Sequence, residues 1–155
     1  MPDAVCHGEP RGGGTDLGVA FRMTTIDVET TRPGEYPHTV KVRSHTFTTD
    51  VGPALGSTDT APGPHDLFDA SLAACKALTA TWYARRHQIP LERIDVHVES
   101  DASAERAGVY KLTVRATYHG PLSDEQRASL DRAIGACPIH KLMTTVDVQI
   151  ETLPA

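Results

Sequence analysis

The sequence predicts an α+β domain with antiparallel sheets packed around a long central helix that carries a cysteine. Two patterns predict this architecture. Apolar side chains recur every three or four residues between residues 64 and 87, which is helical spacing. Short segments on both sides of that region alternate between apolar and polar residues, which is strand spacing. The predicted order of elements is β-β-α-β-β-α-α-β.

The composition is that of a single globular domain. The 155 residues are 39% hydrophobic and 23% charged, and no stretch of about 18 apolar residues predicts a membrane span. A net charge of −5 without a basic block argues against a nucleic-acid partner. The N-terminus lacks the basic and apolar regions of a secretory signal, so we expect a cytoplasmic protein. Three cysteines are too few for a disulfide scaffold.

We expect residues 1–17 to form a flexible tail and residues 18–155 to form the domain. The tail contains three consecutive glycines and two prolines, and it shows no apolar period. Cys6 lies in this tail, and we assign it no role.

The strands are predicted from alternation and from turn residues. Residues 19–29 and 39–49 are expected to form a hairpin around the turn that contains Pro33 and Gly34. Residues 94–100 and 109–118 alternate strictly and predict a second antiparallel pair. Residues 145–152 are expected to form a closing strand.

Three helices are predicted from periodicity and from their first residues. The long helix begins at Pro64, and Asp66 places a negative charge in its first turn. Its predicted buried stripe is Phe68, Leu72, Cys75, Leu78, Thr79 and Trp82. Ser123 and Gln126 form a capping box for a second helix that ends near Gly135. A third helix begins at Pro138 and extends through Met143.

Two cysteines are the candidate chemical groups. Cys75 lies on the apolar stripe of the long helix, where a buried cysteine is most simply a core side chain. Cys137 precedes Pro138 and becomes the N-cap of the third helix, where the helix dipole favours a thiolate. Lys76 is expected to point about 100° away from Cys75 on the helix and not to activate it. Cys137 and His140 supply only two of the four ligands of a structural zinc ion, so no metal is predicted.

Two segments resemble signatures of the OsmC/Ohr family of thiol-dependent peroxide-reducing proteins. Residues 56–75, GSTDTAPGPHDLFDASLAAC, resemble its Gly/Pro loop and the long helix with a reactive cysteine. Residues 137–140, CPIH, resemble its Cys-Pro motif at the start of a helix. The segments between and after them follow the family's order, so the likeness extends from about residue 20 to residue 152.

The resemblance implies a fold and a reaction. The fold is the OsmC-like fold, in which two chains form an intertwined homodimer. The implied reaction reduces an organic hydroperoxide or a related small apolar molecule. Cys75 would be the attacking thiol and Cys137 the resolving thiol. No bound cofactor is implied, since an external dithiol, such as a lipoyl group, would reduce the resulting disulfide.

The resemblance also implies an activating pair beside the attacking thiol. The closest match to the family's activating arginine is Arg32, in the first hairpin turn. The peroxidase branch carries a glutamate where this chain has His65, and a looser branch carries one where this chain has Asp66. We therefore expect Arg32 and Asp66 to complete the site. The alternative is a non-catalytic protein of the same fold that binds a small molecule or senses oxidants.

The long helix also predicts a homodimer on physical grounds. Alanines surround its apolar stripe, and few charges occur between Lys76 and Arg85. A helix that is apolar on nearly all sides must be covered on all sides. The strands of one short chain cover one face, so a second copy is expected to cover the other.

Overall fold

A computed structural model describes residues 24–154, and the predicted tail lies outside this range, as does the start of the first predicted strand. The order of elements is β1 (Ile26–Thr30), β2 (His38–Val42), β3 (His45–Thr49), α1 (Pro64–Arg86), β4 (Arg93–Asp101), β5 (Lys111–His119), α2 (Asp124–Gly135) and α3 (Pro138–Thr144). Short 3-10 turns occur at Pro53–Leu55 and Glu105–Ala107. The mixed α and β content and the antiparallel pairing confirm the predicted class. No helix within the described range is long and apolar enough to cross a membrane.

The first sheet has three strands where the sequence predicted two. Residues 39–49 do not form one strand, because the chain turns between Val42 and His45 and pairs β2 with β3. Arg43 accommodates the turn with a positive φ of 55°. Positive φ usually requires glycine or asparagine, so the sequence contained no signal for this turn.

Most of the apolar side chains of the first sheet share one face. The register aligns Val28 with Val40 and Val40 with Phe47 across three strands, and aligned residues point to the same side. The apolar face consists of Ile26, Val28, Val40, Val42 and Phe47. Val40 is buried, but Ile26 is 63% and Val28 56% exposed. This face is therefore largely uncovered in the single chain.

The main core lies between α1, α2 and the second sheet, which β4 and β5 form. Its buried side chains are Ala80, Ala84, Tyr118, Leu130 and Ile134. The Tyr118 hydroxyl donates a hydrogen bond to Asp131 at 2.8 Å, which satisfies the polar end of this buried ring. The helix α1 packs against β4, α2 and α3.

The buried stripe of α1 differs from the predicted one. The fully buried positions are Leu72, Lys76, Ala80 and Ala84, which follow one another at four-residue steps. Of the predicted stripe, Leu78 is 70% and Phe68 47% exposed. Leu72 is buried as predicted, but the other apolar positions of the buried face are the alanines Ala80 and Ala84, whose small side chains let α1 approach β4 and α2 closely.

Residues 145–152 do not form the predicted closing strand. Val146, Val148 and Ile150 alternate as a strand would, but all three are exposed. A strand needs a neighbour to bond its backbone, and the described part of this chain pairs no strand with the segment.

Asp50 organises the loop that leads into α1. Its buried carboxylate accepts hydrogen bonds from the Ser57 hydroxyl at 2.6 Å and from the Thr60 hydroxyl and amide at 2.7 and 2.9 Å. These bonds hold the pKa of Asp50 well below its usual value, and the bond from Ser57 has the largest effect. The charged form of Asp50 therefore fixes the loop before the cysteine-bearing helix.

Replacing Gly120 by alanine is expected to destabilise the fold. Gly120 has a φ of +130°, and an added Cβ would lie 2.3 Å from the carbonyl oxygen of Pro90. The strain is expected to lower the free energy of unfolding by about 1–3 kcal/mol or more, measured by urea denaturation. Gly135→Ala is the matched control, since its Cβ meets no atom within 4 Å, and it should stabilise helix α2 by about 0.5–1 kcal/mol. Equal stability of Gly120→Ala and wild type would contradict this account of the β5–α2 connection.

Candidate active site

The two cysteines lie on different helices. Cys75 is half-buried near the middle of α1, and Cys137 is fully buried at the N-cap of α3. The Cys137 sulfur accepts a hydrogen bond from the His140 amide at 3.4 Å. The predicted N-cap position of Cys137 is therefore confirmed by the structure, and both thiols are free.

The fold brings the two thiols close enough to interact. Burial raises the pKa of Cys137, and a hydrogen bond with Cys75 and the negative charge of Cys75 raise it further. The His140 amide and the positive charge of Lys76 act in the opposite direction. The negative charge of Cys75 thus opposes ionisation of Cys137.

Lys76 is the cation of this cluster. It is only 5% exposed, and its Nζ donates a hydrogen bond to the Ile134 carbonyl at 2.9 Å and lies 3.5 Å from His140 Nδ1. The expectation that Lys76 does not activate Cys75 stays a prediction, but the positive charge of Lys76 lowers the pKa of Cys137. The sequence contained one signal for this, because Lys76 lies at four-residue spacing between Leu72 and Ala80, on the face of α1 that is buried.

Arg32 and Asp66 make other contacts. Arg32 lies in the predicted hairpin turn, is 73% exposed and pairs with Glu35 at 3.3 Å. Asp66 accepts a hydrogen bond from the Gly63 amide at 2.8 Å and thus caps the start of α1. Among the described residues of one chain, neither side chain forms a hydrogen bond or ion pair with Cys75.

His65 stands where the family's peroxidase branch has a glutamate. Its Nε2 lies 3.0 Å from a carboxylate oxygen of Glu105. The hydrogen bond and the charge of Glu105 raise the pKa of His65. A carboxylate is therefore present near this helix terminus, but it comes from the β4–β5 connection.

A cavity of about 660 Å³ lies between α1, β5 and α3. Its wall includes the apolar side chains of Leu72, Val114 and Met143, and the polar groups of Lys76 and His140. The cavity adjoins the thiols through Lys76, the neighbour of Cys75, and His140, which contacts Cys137. Its size and apolar lining are typical of a small-molecule site. No cluster of three His, Cys, Asp or Glu side chains within residues 24–154 has the arrangement of a metal site.

The family comparison decides the identity of the fold. The model of the family described as OsmC-like protein matches residues 56–152, which is more than half of the chain. The chain belongs to the OsmC-like family. The matched region includes both cysteines, so the resemblance inferred from their motifs is confirmed. No curated protein matches this OsmC-like protein.

Solved structures share the fold at low sequence identity. An OsmC-like protein from Mycoplasma pneumoniae is 20% identical, with 81% of this chain and 90% of the other covered and a TM-score of 0.65. An organic hydroperoxide resistance protein OsmC from Legionella pneumophila is 22% identical, with 81% and 92% covered and a TM-score of 0.58. The organic hydroperoxide resistance protein OhrB of Bacillus subtilis is 23% identical, with 81% and 93% covered and a TM-score of 0.54. These similarities establish the fold of this OsmC-like protein.

Proposed function

We propose that this protein reduces organic hydroperoxides in defence against oxidative stress, with Cys75 as the attacking thiol and Cys137 as the resolving thiol. The interaction between these two thiols is the observation that carries the proposal. A sulfenic acid formed on one thiol would lie beside the second thiol. The names of the Legionella and Bacillus structures support the same reaction class.

The reaction balances in two steps. The Cys75 thiolate attacks one oxygen of ROOH, so that an S–O bond forms, the O–O bond breaks and the departing alkoxide takes a proton to become ROH. Cys75 is oxidised to sulfenic acid. The Cys137 sulfur then attacks Cys75, an S–S bond forms and water leaves. Burial raises the pKa of Cys137, which favours its neutral form over the thiolate.

The apolar cavity between α1, β5 and α3 is the proposed entry site for the substrate. An apolar lining favours the organic group of a hydroperoxide over hydrogen peroxide, because only the former gains from leaving water. The resulting disulfide requires an external dithiol, such as a lipoyl group, to return the protein to its reduced form. A compartment with reduced thiols suits this cycle, so we propose the cytoplasm.

We also propose that the working protein is a homodimer. Three exposed apolar features support this. They are the apolar face of the first sheet, the outer face of α1 around Leu78, and the alternating segment from Val146 to Ile150. Monomeric proteins rarely leave large contiguous apolar patches in water. A second copy would cover them and would offer its own Arg32 to the site, which is the role the resemblance predicts for that residue.

Cys137→Ser provides the test of the proposed function. Wild-type protein should consume cumene hydroperoxide continuously with a dithiol donor. The variant should consume one equivalent of hydroperoxide and then stop. Its Cys75 sulfenic acid has no second thiol with which to form the internal disulfide. Dimedone labelling of Cys75, read by mass spectrometry, should appear only in the variant. Absence of peroxide consumption by wild type would contradict the proposal.

A second candidate function is binding without catalysis, in which the cavity holds a small apolar molecule or the thiols sense oxidants. The contacts of Arg32 with Glu35 and of Asp66 with Gly63 favour it, since both predicted activating groups are engaged elsewhere. A thiol titration separates the two functions. A Cys75 pKa well below about 7 supports the enzyme, and one at or above about 8.5 supports the binding protein.

A further inference from the structure

Lys76 is a buried cation without a counter-ion. Its side chain is 5% exposed on the face of α1 that packs into the protein. Its polar contacts are the Ile134 carbonyl and the His140 ring, and among the described residues no carboxylate forms an ion pair with it. Burial of an ammonium without a negative partner is unfavourable. A negative group close to it would remove this penalty.

The contacts of Lys76 meet at the start of α3. The Ile134 carbonyl accepts from Lys76 Nζ at 2.9 Å and also from the Cys137 amide at 3.4 Å. His140, whose ring lies next to Nζ, donates its amide to the Cys137 sulfur. The ammonium is thus held beside Cys137 from two directions, and Cys137 interacts with Cys75.

We propose that Lys76 supplies the positive charge that stabilises the thiolate of the Cys75–Cys137 pair. Lys76 is a positioning residue, since it acts on the thiols through its charge and does not touch the substrate. The family resemblance predicts this role for Arg32. The inference rests on the proposed function. The positive charge of Lys76 lowers the pKa of Cys137, which agrees with the geometry. The other titratable group at the cluster is the His140 imidazole, which is kept in every variant below.

A lysine that only holds α1 to the Ile134 carbonyl would have the same hydrogen bond but no effect on the thiols. Lys76→Gln separates these roles, because glutamine retains a donor for the carbonyl and lacks the charge. Lys76→Arg retains the charge, and Lys76→Met removes both donor and charge. Lys141→Met removes an exposed charge from α3 and is the matched control.

The test is the pH dependence of iodoacetamide alkylation at Cys75 and Cys137, resolved by peptide mass spectrometry in the full chain carrying Cys6→Ser. The midpoint of the more reactive thiol should rise by about one pH unit or more in both Lys76→Gln and Lys76→Met. It should remain within a few tenths of a unit of wild type in Lys76→Arg and Lys141→Met. An unchanged midpoint in Lys76→Gln would overturn the inference. If Lys76→Met does not fold, the Gln and Arg pair alone decides.

Alkylation needs no peroxide, so this test is independent of the proposed function. Failure of wild type to consume hydroperoxide, with a shifted midpoint in Lys76→Gln, would overturn the function and leave the role of Lys76 supported. Normal peroxide consumption by wild type, with an unshifted midpoint in Lys76→Gln, would support the function and overturn the role of Lys76.

Discussion

Cys75→Ser is expected to abolish peroxide turnover. Serine is nearly isosteric with cysteine, but its hydroxyl remains protonated at neutral pH and cannot form the sulfenic acid. The rate of cumene hydroperoxide consumption should fall roughly a thousandfold or more, to that of the dithiol alone. The measurement is steady-state peroxide loss at a fixed dithiol concentration.

The matched control is Cys6→Ser, which removes a thiol from the predicted tail and should leave the rate unchanged. Thermal unfolding should be similar in both variants, because Cys75 is only half-buried. Wild-type turnover in Cys75→Ser would show that the assignment of the attacking thiol is wrong.

Val28→Glu is expected to separate the proposed homodimer into monomers. Val28 lies on the apolar face of the first sheet and is 56% exposed in the single chain. The substitution therefore costs little in a monomer but buries two like charges in a symmetric dimer, which costs several kcal/mol. Sedimentation at low micromolar concentration should give about twice 16.7 kDa for wild type and 16.7 kDa for the variant. Peroxide turnover should fall with the loss of the second copy.

Thr46→Glu is the control for this substitution. Thr46 lies on the opposite face of the same sheet, aligned with Lys41, so the added charge remains in water. This variant should sediment as wild type does. A wild-type monomer that still reduces peroxide would contradict both the dimer and a site shared between chains.

The sequence predicted the elements whose signals are local. The capping box of Ser123 and Gln126 starts α2 as expected, and Pro138 places Cys137 at the N-cap of α3. The turn at Arg43 was missed, because its positive φ occurs at a residue that rarely adopts it. The strand predicted at residues 145–152 has the right alternation, but strand formation depends on a partner and not on local pattern alone.

The candidate site was predicted in part. The motifs named Cys75 and Cys137, but only the tertiary fold brings α1 and α3 together. The contacts of Lys76 with Ile134 and His140 were missed because helical direction was assigned from its Cα, whereas a long side chain reaches several ångströms from its own position. The roles of Arg32 and Asp66 at the thiols remain predictions, since among the described residues of one chain these side chains contact Glu35 and the Gly63 amide instead.

The most direct test of the central claim is a disulfide map after one equivalent of cumene hydroperoxide. The reduced full-length protein is treated without a dithiol, digested under non-reducing conditions and analysed by mass spectrometry. We expect one cross-linked peptide pair that joins Cys75 to Cys137, with the loss of two hydrogens and with one equivalent of the corresponding alcohol released. Protein in which both thiols stay reduced, or in which either one pairs with Cys6, would contradict the account.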